Sequence, residues 1–193
     1  FSAASRSLDG RALAVRLKAV LKPARFLHTQ GVVKTARALA PHHGVDLRAA
    51  TLAAWLHDCA KCLDKPTLVA LLKPAGADAE ERRQPALWHA PVGAYLACRD
   101  FGVKDKDVLA AIRLHTTGGP GQSPLQKLLF VADYIEPGRP DWPELPALRR
   151  LARRDLDAAW FEVLKHKLMH LIAKGRALHP RGLAAYHNAL RSS

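Results

Sequence analysis

Apolar positions recur at helical spacing along most of the chain, and prolines and glycines cut that pattern into segments. Helices are predicted over 11–21 and 24–40, the second carrying Val32, Ala36 and Leu39 on one face before Pro41 and Gly44 stop it. Asp46 is placed to cap a helix over 47–62, whose stripe is Leu52, Ala53, Leu56 and Ala60. Pro66 opens a short helix ending near Lys73, and the Pro-, Ala- and charge-rich stretch 74–86 reads as a surface loop. Further helices are expected over 91–100, 105–116 and 124–136, the last entered through Ser123-Pro124 as cap and first-turn proline. Gly118-Gly119-Pro120-Gly121 and Pro137-Gly138-Arg139-Pro140 must turn, and helices over 155–175 and 181–191 complete the chain.

Composition agrees with this pattern. Ala and Leu number 64 against 14 Val and Ile, a balance that favours helix because β-branched side chains lose more rotamer freedom there. The 193 residues suit one domain with a real core, so the expectation is an all-α fold, a single helical bundle. Residues 1–23 are read as an N-terminal segment and first helix, and 24–193 as the body with a C-terminal helical extension. A start at Phe1 points to a processed or trimmed chain. No stretch approaches the ~18 apolar residues that cross a bilayer, and the first twenty positions alternate Arg/Lys with Ala/Leu. A cytoplasmic protein with no membrane partner is therefore expected. Three cysteines form no secreted disulfide framework.

Charge adds a preference without a partner. Thirty Lys and Arg against 17 Asp and Glu give a net +13, which attracts polyanions and leaves nucleotides, nucleic acid and acidic membranes open.

The ten histidines narrow the chemistry by their placement. His28, His57, His89 and His115 fall at or near the ends of successive predicted helices, Asp58 adjoins His57, and Asp133 lies in the helix after the Thr-Thr-Gly turn. One bundle could point all six inward. The pair His57-Asp58 ends an apolar stripe, so a polar side chain must border the core, where an unsatisfied group costs several kcal/mol. A metal would satisfy both. Imidazoles with two carboxylates favour iron, manganese, cobalt or zinc over magnesium or calcium, which prefer oxygen shells.

At this point the residues resemble a known family. His28, His57-Asp58 and Asp133 are similar to the H…HD…D signature of the HD-domain metal-dependent phosphohydrolases, which fold as helical bundles. The segments Arg25-Phe-Leu-His28-Thr29, His57-Asp58-Cys-Ala60-Lys61, His89-Ala-Pro91-Val-Gly93-Ala94, His115-Thr116-Thr117-Gly118 and Ala132-Asp133-Tyr134-Ile135-Glu136-Pro137-Gly138-Arg139 resemble its YqeK branch, the symmetrical bis(5'-nucleosyl)-tetraphosphatases. The resemblance runs from about 24 to 190 and makes 24–193 the HD domain. It implies hydrolysis of diadenosine tetraphosphate to two ADP by hydroxide held on a dinuclear centre. Four ligands suffice for one ion, and His89 and His115 supply a second. In this family Asp58 would bridge two ions some 3.5 to 4 Å apart, His28 and Asp133 completing one and His89 and His115 the other. Iron heads the metals implied.

Phosphate needs positive groups and amide donors. Lys61, close to one turn past Asp58, shares its face and is the expected catalytic cation beside Asp58. Thr116, Thr117 and Gly118 offer hydroxyls and N–H groups in the manner of a backbone nest. By resemblance Arg139 sits at the nucleotide site and Arg25 belongs to the Arg-x-x-His-Thr motif. The partner is a dinucleoside polyphosphate, with a homodimer as the oligomeric option. Rival readings are an HD-type nucleotidase, alarmone hydrolase or phosphodiesterase, and a non-catalytic basic helical module for nucleic acid. The last lacks a recognised motif and is poor in aromatic platforms. Cys59-Ala-Lys-Cys62 has redox spacing but follows no strand. His166 and His170 lack a third ligand, and Arg181-Gly182 departs from the family's acidic-Thr pair.

Overall fold

A computed structural model describes residues 10–191; positions 1–9 and 192–193, part of the expected N-terminal segment and C-terminal extension, lie outside it. Eleven α-helices order the described residues: α1 (Gly10–Val20), α2 (Pro23–Leu39), α3 (Leu47–Leu56), α4 (Lys65–Leu72), α5 (Ala79–Arg83), α6 (His89–Phe101), α7 (Lys106–Leu114), α8 (Pro124–Ile135), α9 (Leu145–Arg154), α10 (Leu156–Ala173) and α11 (Pro180–Arg191). Short 3-10 turns cover Ala40–His43 and Pro85–Leu87, and no strand occurs among the described residues.

The bundle is built around α8, which buries Leu125, Leu128, Leu129, Phe130, Val131, Ala132 and Ile135 on nearly every side. Helices α2, α3, α7, α9 and α10 all pack on it. A helix apolar all round belongs in a core, and fully burying one Leu or Phe contributes roughly 1.5–3 kcal/mol. The central position of α8 therefore carries Asp133 into the middle of the molecule. Asp and Ser residues fix the register of its neighbours. Asp46 Oδ1 accepts from Ala49 N at 2.7 Å, Asp64 Oδ1 from Thr67 N at 2.7 Å, and Ser123 Oγ from Gln126 N at 3.2 Å.

Three boundaries differ from the sequence reading. The helix expected over 47–62 ends at Leu56, and the chain then advances through tight turns in which Cys59 N bonds Leu56 O, Lys61 N bonds Asp58 O and Leu63 N bonds Ala60 O. Three-residue turns let two consecutive polar side chains, His57 and Asp58, both face the centre, which a continuous α-helix would splay by about 100°. The expected loop 74–86 contains α5, started by a capping box between Asp78 and Glu81. Helix α9 was not anticipated: its Leu145, Leu148 and Ala152 are buried, but flanking prolines and Arg pairs obscured that face.

Candidate metal and phosphate centre

His28, in α2, His57 and Asp58 after α3, His89 at the start of α6, His115 after α7 and Asp133 in α8 converge on one point between the helices. His57, Asp58, His89 and His115 are buried. His28 Nε2 lies 3.1 Å from Asp133 Oδ1 and 3.8 Å from Asp58 Oδ2, and His57 Nε2 is 3.4 Å from Asp58 Oδ2. On the other Asp58 oxygen, His89 Nε2 stands at 3.4 Å and His115 Nε2 at 3.7 Å, the two imidazole nitrogens 3.2 Å apart. Donor atoms of His28, His57 and Asp58 lie within 4.8 Å of one another, as do those of Asp58, His89 and His115.

Partners behind the rings set their orientation. His57 Nδ1 donates to Ala54 O at 2.7 Å and His115 Nδ1 to Ile112 O at 2.7 Å. His28 Nδ1 faces Glu136 Oε1 at 3.1 Å. With Nδ1 carrying the proton in each case, Nε2 turns a lone pair toward the centre, the state that ligates metal. Glu136 carried no role in the sequence reading. Its other oxygen accepts from Gly138 N at 2.6 Å, and the carboxylate fills the space beside Gly31, where a Cβ would collide with it.

Three atoms at the centre, His28 Nε2, His57 Nε2 and Asp58 Oδ1, are buried without a hydrogen-bond partner. Such orphans cost about 1–3 kcal/mol each, and three together call for a ligand. The mixture of imidazole and carboxylate fits borderline divalent ions, arranged as two triads with Asp58 in common.

Electrostatics act unevenly on the cluster: against the pull of burial, the Asp58 and Asp133 carboxylates raise the His57 imidazole, while Asp58, Asp133 and His89 shift toward the states that ligate metal. Burial alone would raise Asp58, but the His57 and His115 rings hold its carboxyl well below the usual range. Asp133, against the same burial, is held well down by the adjacent His28 ring and the charge of Lys167. Burial, with His115 and Lys61 nearby, pushes His89 well below the usual imidazole value, so its ring is neutral.

Cations border the cluster. Arg25 Nη1 donates to Asp58 Oδ2 at 2.8 Å, and Lys61 Nζ lies 3.2 Å from both ring nitrogens of His89. Arg139 Nη2 donates to Asp133 O at 2.9 Å and stands 3.3 Å from its Oδ1. Lys167, from α10, was not foreseen. Its Nζ donates to His115 O at 3.0 Å, lies 3.7 Å from Asp133 Oδ2 and sits 3.9 Å over the Phe130 ring.

The Thr-Thr-Gly turn differs from the expected nest. Gly118 N donates to Leu114 O at 2.8 Å with φ +68, closing α7, and Thr117 Oγ1 donates to Gly118 O at 2.9 Å. Thr116 Oγ1 alone of the three groups is buried and unpaired. Cys59 is equally committed elsewhere: its Sγ donates to Gly93 O at 3.6 Å, and burial, with Asp58 and Asp100 nearby, pushes the thiol up to about 12. A thiol held protonated is no redox nucleophile.

Comparison with known proteins gives the family. The family model of the HD domain matches residues 25–138. A Bacillus subtilis (strain 168) protein named symmetrical bis(5'-nucleosyl)-tetraphosphatase is 40% identical over 172 residues, 89% of this chain and 92% of that protein. A protein of the same name from Halalkalibacterium halodurans is 40% identical over 182 residues, 94% of this chain and 96% of that protein. The crystal structure of a predicted HD superfamily hydrolase involved in NAD metabolism, from Clostridium acetobutylicum, superposes with a TM-score of 0.89 at 33% identity, covering 96% of this chain and 98% of that one.

Proposed function

The chain belongs to the HD domain family, and on that premise we propose that it is a metal-dependent phosphohydrolase that cleaves diadenosine tetraphosphate symmetrically to two ADP. The observation that carries this reading is the convergence of four imidazoles and two carboxylates around three buried, unpaired donor atoms.

In this reading His28, His57, Asp58 and Asp133 hold one divalent ion, and Asp58, His89 and His115 a second. Such ions, when bound, lower the pKa of water and offset charge developing at phosphorus. The chain's own residues do the rest. Nδ1–H bonds to Ala54 O and Ile112 O, and the Glu136 carboxylate behind His28, keep the three rings from rotating as substrate arrives. Lys61 and Arg25 on one edge, and Arg139 on the other, meet the negative charge of the phosphates in a site walled by helices, where fixed donors act more strongly than in water. Thr116 Oγ1, buried and unpaired, lines the small cavity beside Lys167 and is a further donor in this reading. With the deprotonated nucleophile supplied by the ions, no side chain of the chain is assigned the role of general base in this reading.

Iron as the metal and the cytoplasm as the setting belong to the same proposal, tested by metal analysis after anaerobic purification and by cell fractionation. The decisive measurement is product analysis. ADP as the sole product from diadenosine tetraphosphate supports the function, whereas AMP with ATP overturns symmetrical cleavage.

A further inference from the structure

Helix α8 ends without the glycine turn that closes many helices. Glu136, the residue after its last, is extended, with φ −55 and ψ 155, so no left-handed residue turns the chain back on the final carbonyls. Two arginines cover them instead. Arg139 Nη2 donates to Asp133 O at 2.9 Å, while Arg149, in α9, donates through Nε to Ile135 O and through Nη2 to Glu136 O, both at 2.9 Å. One edge of the Arg149 guanidinium thus spans two consecutive carbonyls, and its charge meets the negative end of the α8 dipole.

The peptide clamped in this way carries the side chain behind His28. Glu136 Oε1 lies 3.1 Å from His28 Nδ1, and Oε2 accepts from Gly138 N at 2.6 Å. A long glutamate side chain orients an imidazole only when the backbone it springs from is itself fixed. His57 and His115 have no such dependence, since each donates to a carbonyl of its own helix. We propose that Arg149 is a positioning residue for the His28 side of the centre. By clamping the carbonyls of Ile135 and Glu136 it fixes Glu136, which in turn holds the His28 ring with Nε2 turned inward.

Loss of the guanidinium takes a donor from each of two carbonyls that belong to buried residues, Ile135 and Glu136. Arg139 N, which donates to Glu136 O at 3.1 Å, keeps the turn itself, so the chain still folds. What is lost is precision: supporting residues hold a site to within about 0.5 Å of its working geometry, which an unclamped helix end does not do. The effect falls on one triad. His28 belongs with His57 and Asp58, whereas Asp58, His89 and His115 form the group on the other side. Arg149 lies beyond residues 25–138, so this ring is held from a helix that the family model does not span.

This proposal rests on the His28 side holding a divalent ion, and its test separates that premise from the clamp. Arg149→Met keeps the apolar stem without the guanidinium, and Arg149→Lys keeps a charge without the two-pronged edge. Asp78→Ala, which weakens the start of α5, controls for lost stability alone. Each variant is checked by circular dichroism for an unchanged fold. Manganese is titrated calorimetrically into the metal-free proteins, and the imidazole nitrogens of isotope-labelled, metal-free protein are recorded by NMR, His28 being assigned from His28→Asn. Arg149→Met is expected to weaken one of the two binding steps about tenfold, as for an outer partner of a ligand, and to leave the other unchanged. It should also mix the two tautomers of His28 while His57 and His115 keep theirs. Arg149→Lys should recover part of both losses, and Asp78→Ala should show neither. A His28 signature in Arg149→Met identical to the parent's, equal weakening of both steps, or the same changes in Asp78→Ala each overturn the proposal. A parent that binds no manganese, but whose His28 tautomer still answers to Arg149, leaves the clamp standing and removes the metal reading instead.

Discussion

His57 and His115 are positioned by the same device on different helices: each is the residue after its helix ends, and each donates Nδ1–H to the carbonyl three residues earlier, at 2.7 Å in both. Their ring centroids lie 5.1 Å apart, nearly perpendicular, so two helix ends deliver two imidazoles to one carboxylate. Because the rings belong to different triads, removing either should take away one ion and removing the shared carboxylate should take both. His57→Ala and His115→Ala are expected to retain close to half the parent's metal, and Asp58→Ala almost none with turnover abolished. Plasma emission analysis of the dialysed variants checks this, and full metal content in Asp58→Ala would end its bridging role.

Lys61 touches His89 but is not needed to hold an ion. Lys61→Ala should therefore keep the metal content of the parent while hydrolysis slows by about 10²-fold, the usual loss for one donor at a developing charge. A variant as fast as the parent would return Lys61 to an ordinary role. The expected split is unchanged metal with lowered kcat.

Gly31 leaves room for the Glu136 carboxylate, which a Cβ would displace from behind His28. Gly31→Ala is expected to melt within a few degrees of the parent, since Ala favours helix over Gly by up to about 1 kcal/mol. Metal affinity should nonetheless fall on the order of 10- to 100-fold, the loss typical when an outer partner of a ligand is removed. Metal titration alongside a thermal melt separates the two effects; an unaltered affinity would show that Glu136 does not orient His28.

Asp78 joins the last helix to the body. Its Oδ1 accepts from Glu81 N at 2.8 Å and its Oδ2 from Arg181 Nη2 at 2.5 Å, while Arg181 also reaches Glu81 at 3.1 Å and Arg113 reaches Glu81 at 2.7 Å. Against the pull of burial, the Glu81 amide, His179 and Arg181 hold the Asp78 carboxyl below its usual range. A depressed carboxyl stabilises the fold above its unfolded pKa and loses that contribution as pH falls through the folded value. Asp78→Ala should cost ~1 kcal/mol at pH 7, chiefly the lost cap, because the ion pair is partly solvated. The Asp-to-Asn difference in melting temperature should shrink below about pH 4, and a difference that persists there would assign the effect to packing. Arg181, the departure from the family's acidic residue, thus acquires a structural use in this chain.

The convergence of the six side chains was largely legible because they announce themselves locally: His57 and Asp58 are adjacent polar residues closing an apolar stripe, and His115 precedes an obligatory turn. Glu136 and Lys167 were not, for opposite reasons. Glu136 acts on a residue 108 positions away, a contact that depends on how α2 crosses the end of α8. Lys167 ends the basic run Lys165-His166-Lys167 of α10, which reads as a solvated helix face. Helix α9 shows a readable stripe of Leu145, Leu148 and Ala152, hidden by Pro143 and Pro146 at its start. The extent of α3 failed because apolar periodicity continues to Ala60 through non-helical turns that bury the same face.

The lysine that α10 extends over Phe130 comes from outside residues 25–138, the stretch that defines family membership. A fragment trimmed to that stretch would keep every proposed ligand yet open the outer edge of Asp133 to bulk solvent. Family signature and enclosed site therefore differ in this chain: the proposed ligand set is written in the first two-thirds, and part of the wall around it in the last.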